Sequence, residues 1–139
     1  LMFVDASVIV AIINREAGFE EIIKRMEAHK GKFDVSPLVK FEAVAAIARS
    51  RSGKTRPSAD QFKAASDVVE DFFRSIKAHN ITITATIGDK ALEAAARFGK
   101  FVGHEADLNF GDCFSYACAH AYSSPLLYKG NDFAKTDLA

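Results

Sequence analysis

Short apolar or β-branched runs alternate along this chain with helical patterns, and that alternation limits the fold more than any other feature. Phe3-Val4-Asp5, preceded by Met2, and the runs at 33–36, 81–84 and 125–128 read as strands. Between them lie helical stretches at 8–13, 19–29, 37–50, 59–79, 89–98 and 111–122, with a last helical turn at 132–135. Strands separated by helices are joined by crossovers, which makes the sheet parallel and covers both its faces. The local signals agree. Ser7 can cap the first helix, and Ser36-Pro37 pairs a capping serine with proline at the first helical position. Phe19, Ile22, Ile23 and Met26 share one helical face, with Glu20, Glu21, Lys24 and Glu27 elsewhere. The fold expected is α/β: a three-layer α/β/α sandwich around a short, mainly parallel sheet of four or five strands.

At 139 residues the chain is expected to be one domain, 1–139, with a single core. Lys plus Arg and Asp plus Glu are 18 each, so net charge gives no affinity for nucleic acid and any basic footprint must be local. The one candidate is the breaker-rich stretch carrying Arg49, Arg51, Lys54 and Arg56, which serves equally well as a solvated loop. No apolar run approaches the roughly 20 residues that span a bilayer. The start of the chain lacks a secretory pattern. Cys113 and Cys118, five apart in one helical stretch, fit neither a CxxC motif nor a zinc framework. They read as reduced, half-buried thiols, and a cytoplasmic location is expected.

Four acids stand where elements begin, end or pack. Asp5 closes the first strand, Glu42 sits within an apolar helix, Asp112 opens a helix, and Asp132 follows the last strand. In open parallel sheets ligands bind outside the carboxyl ends of the strands, where Asp5 and Asp132 fall. Taken singly, Asp5, Asp112 and Asp132 are also ordinary cap or turn residues. Glu42 is harder to dismiss, because its neighbours Leu38, Ala45 and Ala46 are apolar; its bland account is a salt bridge to Arg49. Carboxylates brought together from distant segments suit a hard divalent cation, which binds oxygen and can activate water beside a phosphate. The histidines show no HxxxH or HExxH spacing, and GxSxG, Walker A and GxGxxG are absent.

The residues carrying those acids resemble the PIN domain, and within it the VapC-type toxins of prokaryotic toxin–antitoxin pairs. The resemblance rests on Phe3-Val4-Asp5-Ala6-Ser7, on Ser36-Pro37-Leu38-Val39-Lys40-Phe41-Glu42, on Leu108-Asn109-Phe110-Gly111-Asp112 and on Lys129-Gly130-Asn131-Asp132-Phe133, in that order. It implies a Mg²⁺- or Mn²⁺-dependent endoribonuclease with Asp5, Glu42, Asp112 and Asp132 as catalytic and metal-binding residues. Ser7, near the metal, and Lys129, toward a phosphate, would support them. It further implies a homodimer bound by a small VapB-type antitoxin, with no membrane association. The competing reading is a PIN-like protein that binds RNA or a partner and cleaves little. A phospho-acceptor module fits poorly, since the run at 81–84 is followed by Ala85 and Thr86 rather than an aspartate. An aspartyl phosphatase would want Asp-x-Asp where Asp5-Ala6-Ser7 stands.

Overall fold

The computed structural model describes residues 1–138. Four strands, β1 (Met2–Val4), β2 (Phe33–Val35), β3 (His79–Asn80) and β4 (Leu126–Leu127), form one parallel sheet in the order β3-β2-β1-β4. Phe3 pairs with Asp34 on one side and Leu126 on the other, and Asp34 pairs with His79. Six α-helices carry the connections: α1 (Ala6–Ile13), α2 (Phe19–Ala28), α3 (Pro37–Ser52), α4 (Ala59–Ser75), α5 (Ala85–Phe98) and α6 (Phe110–Ala121). A single 3₁₀ turn, Lys100–Val102, follows α5.

Successive residues of a strand point to opposite faces, and here both are buried: Phe3 and Val4 are 0% exposed. The sheet is therefore covered on both sides. Helix α6 packs on β1 and against α5, while α1 packs on α2 and α3, and α3 on α4. Ile9, Ile47, Val69, Leu108, Leu127 and Phe133 are among the fully buried side chains between these layers. Each contributes roughly 1.5–3 kcal/mol through removal of apolar surface from water.

The third strand lies earlier than the β-branched run suggests. Helix α4 ends at Ser75 rather than near His79, because Lys77 takes a left-handed φ of 53° and turns the chain. His79 and Asn80 then pair with β2, and Ile81 N–H still donates to Val35 O at 2.8 Å. Thr84 leaves the strand pattern altogether. Its Oγ1 accepts the Ile87 N–H at 3.2 Å and starts α5 at Ala85, four residues before the expected 89. Among the described residues the sheet has four strands, within the expected four or five. Residues 132–135 form successive turns, with Ala134 N–H on Asn131 O at 3.1 Å, but no helix; Phe133, 1% exposed, anchors them. Cys113 and Cys118 are free, and both are buried rather than half-buried.

One core position is poorly matched to its surroundings. Asp34 is 3% exposed, and its Oδ1 is buried without a hydrogen-bond partner among the described residues. Among the described residues the one basic side chain against it is His79, charged only when protonated, whose Nδ1 stands 3.4 Å away on a side chain that is 72% exposed. An unsatisfied buried polar atom costs about 1–3 kcal/mol, and valine suits a strand covered on both faces. Asp34→Val is therefore expected to raise the midpoint of thermal unfolding, followed by far-ultraviolet circular dichroism. A midpoint at or below that of the parent chain would show that the His79 contact already compensates Asp34.

Candidate active site

The turn out of β1 builds the first wall of the site. Asp5 has extended backbone (φ −74°, ψ 154°) and caps α1, its Oδ2 accepting the Ser7 N–H at 3.0 Å. Its backbone N–H donates to Leu127 O, and Oδ1 accepts the Ser115 hydroxyl of α6 at 2.6 Å. Asp5 rather than Ser7 is thus the cap, and α1 begins two residues sooner than expected. Ser7 instead lies in the first turn of α1, where its Oγ accepts the backbone N–H of Lys129 at 3.0 Å.

Asp112 is fixed by a reciprocal cap. Asn109 Oδ1 accepts the Asp112 N–H at 2.9 Å, and Asp112 Oδ2 accepts the Asn109 N–H at 3.0 Å. This leaves Oδ1 of Asp112 without a hydrogen bond from the described residues. Glu42 reaches the same place from α3. A Cβ built on Gly111 would overlap the Glu42 carboxylate, so the glycine leaves the space that carboxylate fills. The Glu42–Arg49 salt bridge of the bland account does not form; Arg49 is exposed, and Glu42 has no ion pair among the described residues. Asp132 enters from the exposed loop after β4. All four acids line one cleft of about 460 Å³, together with Ser7, Glu16, Asn109 and Lys129.

Packing carboxylates together alters their acidity. Burial, then the charges of Asp5 and Asp112, pushes Glu42 up to about 7. Burial also lifts Asp112 to about 7; the Asn109 hydrogen bond opposes this, and the charges of Asp5, Asp132 and Asp107 add to it. Asp132 is raised as well, by burial and by Asp5 and Asp107. Among the described residues no three His, Cys, Asp or Glu side chains form a ready-made metal cage. The donors are nevertheless all hard oxygens. A magnesium-type ion keeps several waters and needs only one or two direct carboxylates, so such a cleft suits it.

Four contributors escaped the sequence pattern. Gly111 before Asp112 and Ser115 one turn after it carry a signal in hindsight, as does Asn109 at the capping position. Glu16, in a turn after α1, carries none. Asp107 acts on Asp112 and Asp132 through its charge, as an outer position would. Asp137 does not; it accepts the Tyr116 hydroxyl at 2.6 Å and lines a different pocket. Arg49, Arg51, Lys54 and Arg56 are exposed and do not line the cleft.

Comparison with known proteins places the chain in a family. The PIN domain family pattern matches residues 2–138. A VapC ribonuclease of Rhizobium meliloti (strain 1021) is 50% identical over 141 residues, covering 99% of both chains. Ribonuclease VapC42 of Mycobacterium tuberculosis is 32% identical over 140 residues, covering 99% of this chain and 96% of its own. Among solved structures, M. tuberculosis VapC20, described as a sarcin–ricin loop cleaving toxin, superimposes with a TM-score of 0.69 at 20% identity, covering 100% and 98% of the two chains. A chain of a toxin–antitoxin complex from Klebsiella pneumoniae gives 0.66 at 14% identity, covering 99% and 93%. At those identities the structural likeness is one of fold.

The raised acids predict a pH dependence of stability. A carboxyl that holds its proton more tightly folded than unfolded stabilises the native state below its unfolded pKa. That contribution is lost as pH rises through the folded value. In the presence of EDTA, the unfolding midpoint is therefore expected to fall between about pH 5 and pH 8, the window set by the ordinary carboxylate range and the value near 7. Glu42→Gln should flatten the fall, as measured by calorimetry across that range. An equal slope in the variant would remove Glu42 as its source.

Proposed function

The chain belongs to the PIN-domain family and, within it, to the VapC ribonucleases; from that premise we propose that Asp5, Glu42, Asp112 and Asp132 form the acidic centre at which it hydrolyses RNA with the help of Mg²⁺ or Mn²⁺. The observation that carries this reading is the arrival of four carboxylates, from four distant segments, in one cleft. Two of them, Glu42 and Asp112, are pushed to about 7 by burial first and then by the charges of neighbouring acids. A cation bound there supplies a more acidic water and a positive charge beside the scissile phosphate.

Asp5 and Asp112 contribute direct oxygen ligands. Hydrogen bonds to Ser7, Ser115 and Asn109 hold both in place, so little ordering is left to be done on binding. Glu42 and Asp132 complete the site directly or through water, and one of them orients the attacking water. Ser7, whose oxygen already accepts the Lys129 N–H, has its hydroxyl proton free to donate toward the cleft. Lys129 is a cation for phosphate. Displacement in line leaves a 5′-phosphate and a 3′-hydroxyl, since no 2′-hydroxyl need be activated. Bases exposed in single-stranded loops are the expected targets.

A VapB-type antitoxin, a homodimer and a cytoplasmic setting complete the proposal. No helix among the described residues is long and apolar enough to cross a membrane. Exposed apolar side chains suited to a dimer contact lie on α3, α5, the 3₁₀ turn and α6: Phe41, Leu92, Phe101 and Phe110 are 64%, 71%, 62% and 60% exposed. A protein that only bound RNA would leave the mutual repulsion of four acids, three of them buried or half-buried, without a use.

Incubating purified protein with structured RNA, in Mg²⁺ or Mn²⁺ against EDTA, tests the reading. Discrete metal-dependent cuts are expected, reduced at least about a hundredfold in a folded Asp112→Asn variant. Metal-loaded protein that leaves every RNA intact, or an Asp112→Asn variant that cuts like its parent, would defeat it. Gly111→Ala makes a sharper point. The added methyl displaces only the end of a flexible side chain, so the variant should melt within a few degrees of the parent yet cleave about 10- to 100-fold more slowly. Cleavage at the parental rate would mean that Glu42 need not stand where it does.

A further inference from the structure

Glu16 is the fifth carboxylate of the cleft. Its Oε1 lies 2.7 Å from Lys129 Nζ, and the two side chains are only 38% and 32% exposed. Lys129 is the one basic side chain among the residues lining the cleft. No hydrogen bond or ion pair joins it to Asp5, Glu42, Asp112 or Asp132 among the described residues.

Both backbones are set before the side chains meet. Lys129 is held through its N–H on Ser7 Oγ. Glu16 follows α1 in a helix-ending motif: its N–H donates to Ala11 O at 2.9 Å, and the Arg15 N–H to Ile12 O at 3.3 Å. Arg15 takes the left-handed φ of 51° that this ending requires. The chain is thereby turned back across the cleft toward Lys129, although the two residues are 113 positions apart.

A lone ammonium on a flexible stem beside four carboxylates is strongly drawn to them. Once there it would compete with a divalent cation. Glu16 gives it another partner. We propose that Glu16 is a positioning residue that keeps Lys129 out of the acidic quartet and holds it as the contact for an RNA phosphate beside the scissile one. This rests on the ribonuclease reading. It goes beyond that reading in assigning Glu16 a part in both metal binding and RNA binding.

The test compares the parent protein with Glu16→Gln, Lys129→Gln, Lys129→Arg and the Glu16→Gln/Lys129→Gln pair, each checked for an unchanged melting profile. Three quantities are measured: kcat and KM for RNA, RNA binding by anisotropy in EDTA across about 50–200 mM salt, and Mn²⁺ binding by calorimetry. Lys129→Gln should raise KM about tenfold and shrink the salt slope by about 0.7, the value for one lost phosphate contact on a single strand. Lys129→Arg should restore most of both. Glu16→Gln should weaken Mn²⁺ binding about threefold or more, Lys129→Gln alone should leave it near the parental value, and the pair should recover it, a non-additivity that a merely structural pair would not give.

Parental Mn²⁺ affinity in Glu16→Gln, failure of the double variant to recover it, or Lys129 variants that lower kcat at constant KM would overturn the proposal. A parent protein that binds Mn²⁺ and RNA without cleaving would sink the ribonuclease reading instead, while the two binding measurements still decide the role of Glu16.

Discussion

Asp5 ends β1, caps α1 and receives the Ser115 hydroxyl from α6, so one carboxylate joins elements from opposite ends of the chain. The neighbouring bonds share this reach. Asp5 N–H extends the pairing of β1 with β4, and Ser7 Oγ holds the Lys129 backbone just beyond β4. The same few atoms close the sheet and define the wall of the cleft. A change at Asp5 is consequently felt by the fold and by the site together, whereas Asp132, on an exposed loop, belongs to the site alone.

The cleft concentrates negative charge at the carboxyl ends of the strands, and the scaffold counters part of that repulsion with fixed donors. Asp5 accepts two hydrogen bonds and Asp112 one. Glu42 accepts none, fills the space above Gly111, and rises to about 7. At neutral pH such a group is poised between its two protonation states. It can lose its proton when a cation arrives, and ligand binding is then coupled to proton release.

Much of this was legible in the residues because it depends on short-range chemistry. The alternation of runs and helices gives the parallel sheet, and the position of Asp5 after β1 gives the first acid of the cleft. What stayed hidden needed partners distant in sequence. Ile81 to Thr84 alternates like a strand, yet Lys77 ends α4 early enough for His79 and Asn80 to take the pairing, and Thr84 is used as a cap. Arg49 stands two turns along α3 from Glu42 and looks like its counter-ion; the carboxylate is turned instead toward Gly111, a neighbour visible only after folding.

Glycine at 111 shows why an acid on an apolar helix face need not be a misfit. A side chain there would share space with the Glu42 carboxylate, so the place that carboxylate takes beside α6 depends on the absence of one methyl group. Removing that methyl weakens the first turn of α6 somewhat, since glycine is a poor helix former. The reciprocal Asn109–Asp112 cap strengthens the same turn and also fixes Asp112. The two features are therefore one device: the glycine admits the second acid, and the cap that steadies the glycine-weakened turn presents the first.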